Sequence, residues 1–138
     1  MLVEFQRRGR IWTFREFLSS GGRPLISEWY LSLLQPVRAV FDDRLDFLAI
    51  HERKDWQLPE FRMLRGKVGK AGLSEIRWES EGTQWRVLGF FGPGRMQYTM
   101  LIGCTHRQKQ YDPRDPLETA IRRKKSVERG ERTTILYE

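Results

Sequence analysis

The chain is poor in the residues that form disulfides and metal sites. Its 138 residues include one cysteine, Cys104, and two histidines, His51 and His106. A single cysteine excludes an intrachain disulfide and is typical of the reducing cytoplasm. These three residues show no CxxC or HxxxH spacing, and zinc needs three or four converging ligands, so we expect no metal site. We expect Cys104 to be a buried strand residue rather than a nucleophile, because the sequence offers it no identifiable base partner.

Long apolar runs and phosphate-binding loops are also missing. No stretch approaches the ~18 apolar residues that cross a bilayer, and charges interrupt residues 1–10 before the apolar region of a signal peptide can form. The segment Gly92-Pro93-Gly94 lacks the Lys-Ser/Thr pair of a P-loop. We therefore expect a cytoplasmic protein with no membrane partner.

Positive charge, in contrast, is in excess. The chain has 25 Lys and Arg against 18 Asp and Glu, which gives a net charge of +7. Such a balance favours a polyanion or an acidic protein segment as the partner. Charge alone does not distinguish between the two.

The pattern of apolar residues predicts one α+β domain over residues 1–138, with residues 1–10 as an N-terminal extension and residues 129–138 as a tail. Alternation predicts an N-terminal strand at residues 11–17, and helical spacing predicts two helices that form a hairpin within residues 25–50. Residues 52–70 are predicted to be a connecting loop with a short ordered piece near residues 61–64.

Three further strands are predicted at residues 73–80, 84–91 and 96–105, and short glycine-containing turns between them favour an antiparallel meander. Residues 115–118 have the spacing of an N-cap, a first-turn proline and a capping acid, which predicts a last helix towards Glu128. We expect an antiparallel sheet, made of the N-terminal strand and the meander. The helical hairpin and the last helix are expected to pack on one of its faces.

Two arginines are predicted to face each other across the first hairpin of the meander. If residues 81–82 form the whole turn, the register places Arg77 opposite Arg86 on one face. Two guanidinium groups in this position repel each other unless an anion lies between them or a carboxylate such as Glu75 shares the face. The pair therefore indicates either an anion site or a solvated strand face on which arginine stems cover apolar neighbours.

A second candidate group, at residues 106–111, follows the last strand of the meander. The group contains His106, and histidine is the side-chain type whose unperturbed pKa, about 6.5, suits proton transfer near neutrality. Arg107 and Lys109 can hold phosphate, and Tyr111 can stack on a base, or transfer a proton if neighbouring cations lower its pKa. Each residue alone is more typical of a polar connection, but their clustering favours a site.

The predicted last helix carries a basic run, made of Arg122, Arg123, Lys124 and Lys125. Such a run is usually a solvated helix face, but it can also dock on RNA phosphates. We treat these four residues as candidates for RNA binding.

Five short motifs lie between residues 11 and 125: Gly22-Arg-Pro-Leu-Ile-Ser-Glu-Trp29, Leu73-Ser-Glu-Ile-Arg77, Trp85-Arg-Val-Leu88, Leu101-Ile-Gly103 and Ala120-Ile-Arg-Arg123. With them the chain resembles the RelE/ParE toxin superfamily, and within it the phage-derived, HigB-like branch of type II toxin–antitoxin systems. The resemblance implies a RelE-like α+β toxin neutralised by a helix-turn-helix antitoxin of the HigA kind. In RelE-like members it also implies an endoribonuclease that cuts messenger RNA on the ribosome and stops translation, without a metal or other cofactor.

The resemblance also assigns roles to residues. Arg86 is similar to the phosphate-holding arginine of the family, Arg77 lies where relatives carry a basic residue, and residues 106–111 lie where they carry further catalytic groups. Two departures leave the general acid and base open: HigB-like relatives commonly read Lys-Lys-Thr where this chain has residues 106–108, and Glu75 stands where RelE has a lysine. We expect Arg77 and Arg86 on the phosphate, His106 as acid or base, and Arg107, Lys109 and Tyr111 as supporting groups.

Two other functions remain open at this point. A ParE-like toxin inhibits DNA gyrase by binding it, without catalysis, and a phage RNA-binding protein without toxicity would also be basic. His106 favours the nuclease, because gyrase binding needs no group that titrates near neutrality.

Overall fold

The structure, a computed structural model, describes residues 9–67, 71–131 and 133–138. The predicted N-terminal extension therefore lies outside the described residues except for Gly9 and Arg10. The helices and strands, in chain order, are β1 (Thr13–Phe17), α1 (Leu25–Leu31), α2 (Gln35–Ala49), a short 3₁₀ helix (Arg53–Asp55), β2 (Phe61–Met63), β3 (Ser74–Ser80), β4 (Thr83–Phe91), β5 (Gln97–Arg107), β6 (Gln110–Asp112), α3 (Pro116–Glu128) and β7 (Thr134–Leu136). The α+β class is confirmed.

All described strands belong to one mostly antiparallel sheet with the order β2-β3-β4-β5-β1-β7, and β6 pairs with the end of β5. The antiparallel meander β3-β4-β5 is confirmed. β1 is the exception, because it runs parallel to β5. The alternation of apolar and polar residues that predicted β1 has the same period in parallel and antiparallel strands. It therefore could not show in which direction β1 runs relative to β5.

Two segments that were not predicted as strands contain short ones. The predicted tail contains β7, which pairs with β1, and Arg15 donates hydrogen bonds to the side chain and the carbonyl of Thr134 at 2.7 and 2.8 Å. The predicted loop of residues 52–70 contains β2, which pairs with β3. β2 coincides with the short ordered piece expected near residues 61–64, and β7 lies in the segment expected to be a tail. Three-residue strands are too short to show a period in the sequence.

Helices cover both faces of the sheet, contrary to the expectation of one covered face. On the first, here called the hairpin face, α1 and α2 bury residues such as Ile26 and Phe41 against Val87 and Tyr98. On the second, the α3 face, Ala120 packs in a cluster with other buried residues: Phe17, Leu73, Leu88, Phe90 and Leu101. A strand buried on both faces reads as a continuous apolar run, and Val87-Leu-Gly-Phe-Phe91 is such a run.

The α3 face changes from apolar to charged along β4. Leu88 and Phe90 belong to the cluster under α3, whereas Arg86 and Gln84 lie on the same face two and four residues earlier. The candidate site is built on this charged end of the face.

Candidate active site

The predicted register of the first hairpin is confirmed. Arg77 and Arg86 are paired across β3 and β4, and Glu81 and Gly82 form the two-residue turn with φ of 54° and 69°. Positive φ at both positions is what a tight hairpin turn requires. The turn therefore holds the two arginines opposite each other on the α3 face.

A buried carboxylate lies among three arginines. Glu75 Oε1 is 2.9 Å from Arg62 Nη2, 3.4 Å from Arg77 Nε and 3.8 Å from Arg86 Nε. The Glu75 side chain is fully buried, whereas the exposed fractions of these arginine side chains are 49%, 23% and 5%. Within the described residues neither Glu75 oxygen accepts a hydrogen bond, so attraction between charges holds this arginine cluster, which keeps a net positive charge.

Arg62 is the member of the arginine cluster that the sequence did not reveal. It lies on β2 opposite Glu75, in the short ordered piece that was expected within the connecting loop. Phe61 next to it is buried among the residues of the hairpin face, so alternation places Arg62 on the α3 face. The apolar-polar-apolar order of residues 61–63 was the available signal, but three residues are too few to use it.

Arg86 is buried, which excludes a solvated strand face, one of the two alternatives for this pair. Its Nη1 donates to the Trp85 carbonyl at 2.8 Å and its Nη2 donates to Gln84 Oε1 at 2.7 Å. Burial lowers the pKa of Arg86, as does the charge of Arg77, while Glu75 opposes both effects. Since a guanidinium stays protonated in proteins, Arg86 is a cation held in one orientation.

Residues 106–111 form a hairpin rather than a loop. β5 continues through His106, and Gln108 and Lys109 form a two-residue turn with φ of 49° and 63° before β6. His106 and Tyr111 are paired across this hairpin, and their rings stack with centroids 4.5 Å apart and planes 17° apart. The hairpin thus fixes the imidazole against an aromatic ring.

The hairpin and the arginine cluster share one site. Tyr111 and Arg62 line the same cavity of about 760 Å³. The pKa of Tyr111 is raised, first by burial and then by the charge of Glu75, and Arg62 and Arg86 offset this only in part. Proton transfer by Tyr111 was expected only if neighbouring cations lowered its pKa overall, and they do not. Near neutral pH the phenol of Tyr111 is therefore a neutral hydrogen-bond donor.

The other two candidates of the hairpin lie further away from the arginine cluster. Alternation along β5 places His106 on the α3 face and the exposed Arg107 on the opposite one. Lys109 lies in the turn and lines a second cavity, between the hairpin and the start of α3. The structure thus brings Arg77, Arg86, His106 and Tyr111 together and leaves Arg107 and Lys109 at the margin.

The basic run on α3 is divided between two environments. Arg123 Nη1 donates to the Leu101 carbonyl at 2.7 Å, and burial lowers its pKa. Lys124 Nζ lies 5.3 Å from the centre of the Phe90 ring. These two residues therefore hold α3 on the sheet, and only Arg122 and Lys125 of the four are exposed.

Cys104 is buried in β5 opposite Arg86. Burial, with a smaller contribution from Glu75, raises the pKa of its thiol to about 12, so the thiol is neutral and a poor nucleophile. Within residues 9–67, 71–131 and 133–138, no three His, Cys, Asp or Glu side chains are grouped so that they could hold a metal ion. None of the helices in these ranges is long and apolar enough to cross a membrane.

A family model described as "Phage derived protein Gp49-like (DUF891)" matches residues 28–125, more than two thirds of the chain. The chain belongs to this family. Gp49-like proteins are a phage-derived, RelE-like toxin family related to toxin–antitoxin systems. The matched range contains the whole candidate site, from Arg62 to Tyr111, and excludes β1 and β7. No curated protein and no solved structure matches the chain.

The first testable consequence concerns Glu75. Replacing Glu75 with glutamine should lower the free energy of unfolding by about 3–5 kcal/mol, because three guanidinium groups then lose the charge that holds them together. Urea unfolding measures this, with Glu79→Gln as the control, since Glu79 is exposed on the same strand and face. Sulfate should recover stability in the Glu75 variant more than chloride of equal ionic strength does. Equal unfolding midpoints for the two variants would show that Glu75 is not the counter-charge.

Proposed function

We propose that this chain is the HigB-like toxin of a type II toxin–antitoxin pair and an endoribonuclease that cuts messenger RNA on the ribosome. One observation carries the proposal: a buried carboxylate holds three arginines on one sheet face, and a stacked histidine and tyrosine lie beside them. Membership of a toxin-related family makes toxicity the natural use of such a site.

The arrangement suits cleavage through the 2′-hydroxyl of RNA. That oxygen loses its proton and attacks the adjacent phosphorus, and the bond to the 5′ oxygen breaks. The products are a 2′,3′-cyclic phosphate and a 5′-hydroxyl that has gained a proton. The non-bridging oxygens on the five-coordinate phosphorus carry extra negative charge at the transition state, and fixed cations stabilise this charge strongly where water is excluded. We assign that role to Arg77 and Arg86, with the exposed Arg62 as a third cation. No cofactor takes part.

Proton transfer is assigned to His106. An imidazole changes its charge near neutral pH, so it can serve as base for the 2′-hydroxyl or as acid for the 5′ oxygen. Tyr111 remains a neutral phenol, so it orients the His106 ring by stacking and can donate a hydrogen bond to a phosphate oxygen. Lys109, at the margin, is a supporting phosphate contact, whereas Arg107 lies on the opposite face of the sheet and is not given this role. A gyrase inhibitor or a non-toxic RNA-binding protein has no need of this imidazole.

The expected partner in the cytoplasm is a helix-turn-helix antitoxin of the HigA kind. The net charge of +7 and the basic surface at the site favour acidic side chains on its surface, and such complementarity gives fast association. Tagged chain, co-expressed with the adjacent open reading frame, should retain that product through a high-salt wash and lose its growth inhibition. Recovery of no partner, together with harmless expression of the chain alone, would contradict the toxin assignment.

A further inference from the structure

A pocket lies between the β5–β6 turn and the start of α3. Its volume is about 580 Å³, within the range of pockets that bind small ligands. The pocket, here called the α3 pocket, has an apolar side and an aromatic wall under a cationic rim, and its main lining residues are Lys67, Lys109, Tyr111, Arg114, Leu117 and Ile121.

The α3 pocket is the middle of a longer groove. It shares Tyr111 and Leu117 with the cavity that contains Arg62, next to the arginine cluster. At its other end it shares Lys67 and Ile121 with a cavity of about 310 Å³, lined also by Arg122, Lys125 and Arg129. One groove therefore runs along α3, from Arg62 of the arginine cluster to the end of the helix.

Positive charge dominates the groove beyond the arginine cluster. Arg122, Lys125 and Arg129 recur at intervals of three and four residues, so they lie on one side of α3 and its end. The acidic residues that line these two cavities are Asp115 and Glu118, against six cations. A groove with this charge attracts a polyanion along its length.

We propose that this groove binds the single-stranded RNA beside the cut. A nucleobase occupies the α3 pocket against Tyr111, and phosphates of the following nucleotides lie on Arg122 and Lys125. The proposal rests on the proposed function, since that function places the scissile phosphate at the arginine cluster. Aromatic rings and cationic grooves are what single-stranded nucleic acids require, because every base has a face that stacks. The continuity of the groove with Arg62 of the arginine cluster favours RNA over an acidic protein segment as the occupant.

Binding of RNA that cannot be cut tests the groove separately from catalysis. A fluorescein-labelled, fully 2′-O-methylated single strand has no 2′-hydroxyl to attack, and its anisotropy reports the Kd. The double variant Arg122→Glu/Lys125→Glu should raise the Kd about tenfold or more at low salt. It should also flatten the plot of log K against log salt by about 0.7 for each lost phosphate contact.

The matched control is Lys54→Glu/Arg95→Glu, which changes the net charge equally at two exposed residues that line neither of these cavities. Its Kd should change less than threefold. Equal weakening in the control, or no weakening in the groove variant, would overturn the proposal. The proposal would also be overturned if the groove variant no longer co-purified with the antitoxin but bound RNA as tightly as the wild type. The groove would then bind the protein partner.

A second measurement addresses the base in the α3 pocket. Gln110 is exposed on β6 and lines the pocket, so Gln110→Ala changes the pocket without removing buried contacts. Mapping of transcript 5′ ends should show a changed nucleotide preference beside the cuts. An unchanged preference would contradict the pocket assignment. If the wild-type chain cut no transcript but bound RNA through the groove, the nuclease function would fail and the groove would stand.

Discussion

Replacing Arg77 with alanine should slow messenger RNA cleavage about 10²- to 10³-fold and abolish growth inhibition, as expected when one fixed group that stabilises the transition state is removed. Arg77 is only partly buried, and Glu75 keeps two other arginines within ion-pair distance, so the fold should remain intact. Primer extension on a translated message gives the rate, and urea unfolding checks the fold. Lys54→Ala, at a side chain 76% exposed, should change neither measurement.

Arg86 needs a gentler substitution because it is buried and hydrogen-bonded. Arg86→Lys keeps the charge beside Glu75 but loses the planar group that reaches the Trp85 carbonyl and Gln84 at once. Its activity should lie between those of the wild type and Arg77→Ala. Full toxicity of both Arg77→Ala and Arg86→Lys, at equal expression, would remove the arginine cluster from the mechanism.

The sequence predicted those parts of the site that local rules determine. The two-residue turn at Glu81 and Gly82, together with the period of two along a strand, was enough to pair Arg77 with Arg86 and to place Glu75 on their face. The antiparallel meander followed from the same rules. These features depend on contacts between residues close in sequence.

The remaining parts depend on partners distant in sequence. β7 pairs with the edge offered by β1, and β2 with the edge offered by β3, so three residues of either strand are too few to define a strand on their own. The burial that raises the pKa of Tyr111 and the packing of Arg123 against the sheet likewise arise only in the folded chain. A long basic side chain can cover apolar surface with its stem, so a basic run on a helix does not define a binding face.

Glu75 supplies negative charge inside a cationic site. Its buried carboxylate lies 2.9 Å from Arg62 on β2. A phosphate that enters the arginine cluster competes with Glu75 for the same guanidinium groups, and the half-exposed Arg62 is the one best placed to turn towards it.

His106→Ala separates a nuclease from a gyrase inhibitor. If His106 transfers a proton during cleavage, its loss should reduce the cleavage rate roughly 10²- to 10⁴-fold, the usual contribution of one positioned acid or base. His51→Ala is the matched control, because His51 stacks on Phe47 at the end of α2, where α2 packs on the opposite face of the sheet. Tyr111→Phe keeps the ring under His106 and should cost less than His106→Ala.

The cellular response distinguishes the two activities as well. Induction of a ribosome-dependent nuclease should stop translation first and produce new 5′ ends within translated regions, and His106→Ala should remove both effects. A gyrase inhibitor would trigger the DNA-damage response with intact transcripts, and His106→Ala would matter little, because binding to gyrase needs no proton transfer. DNA damage without new transcript ends would therefore exclude the nuclease even though the fold is RelE-like.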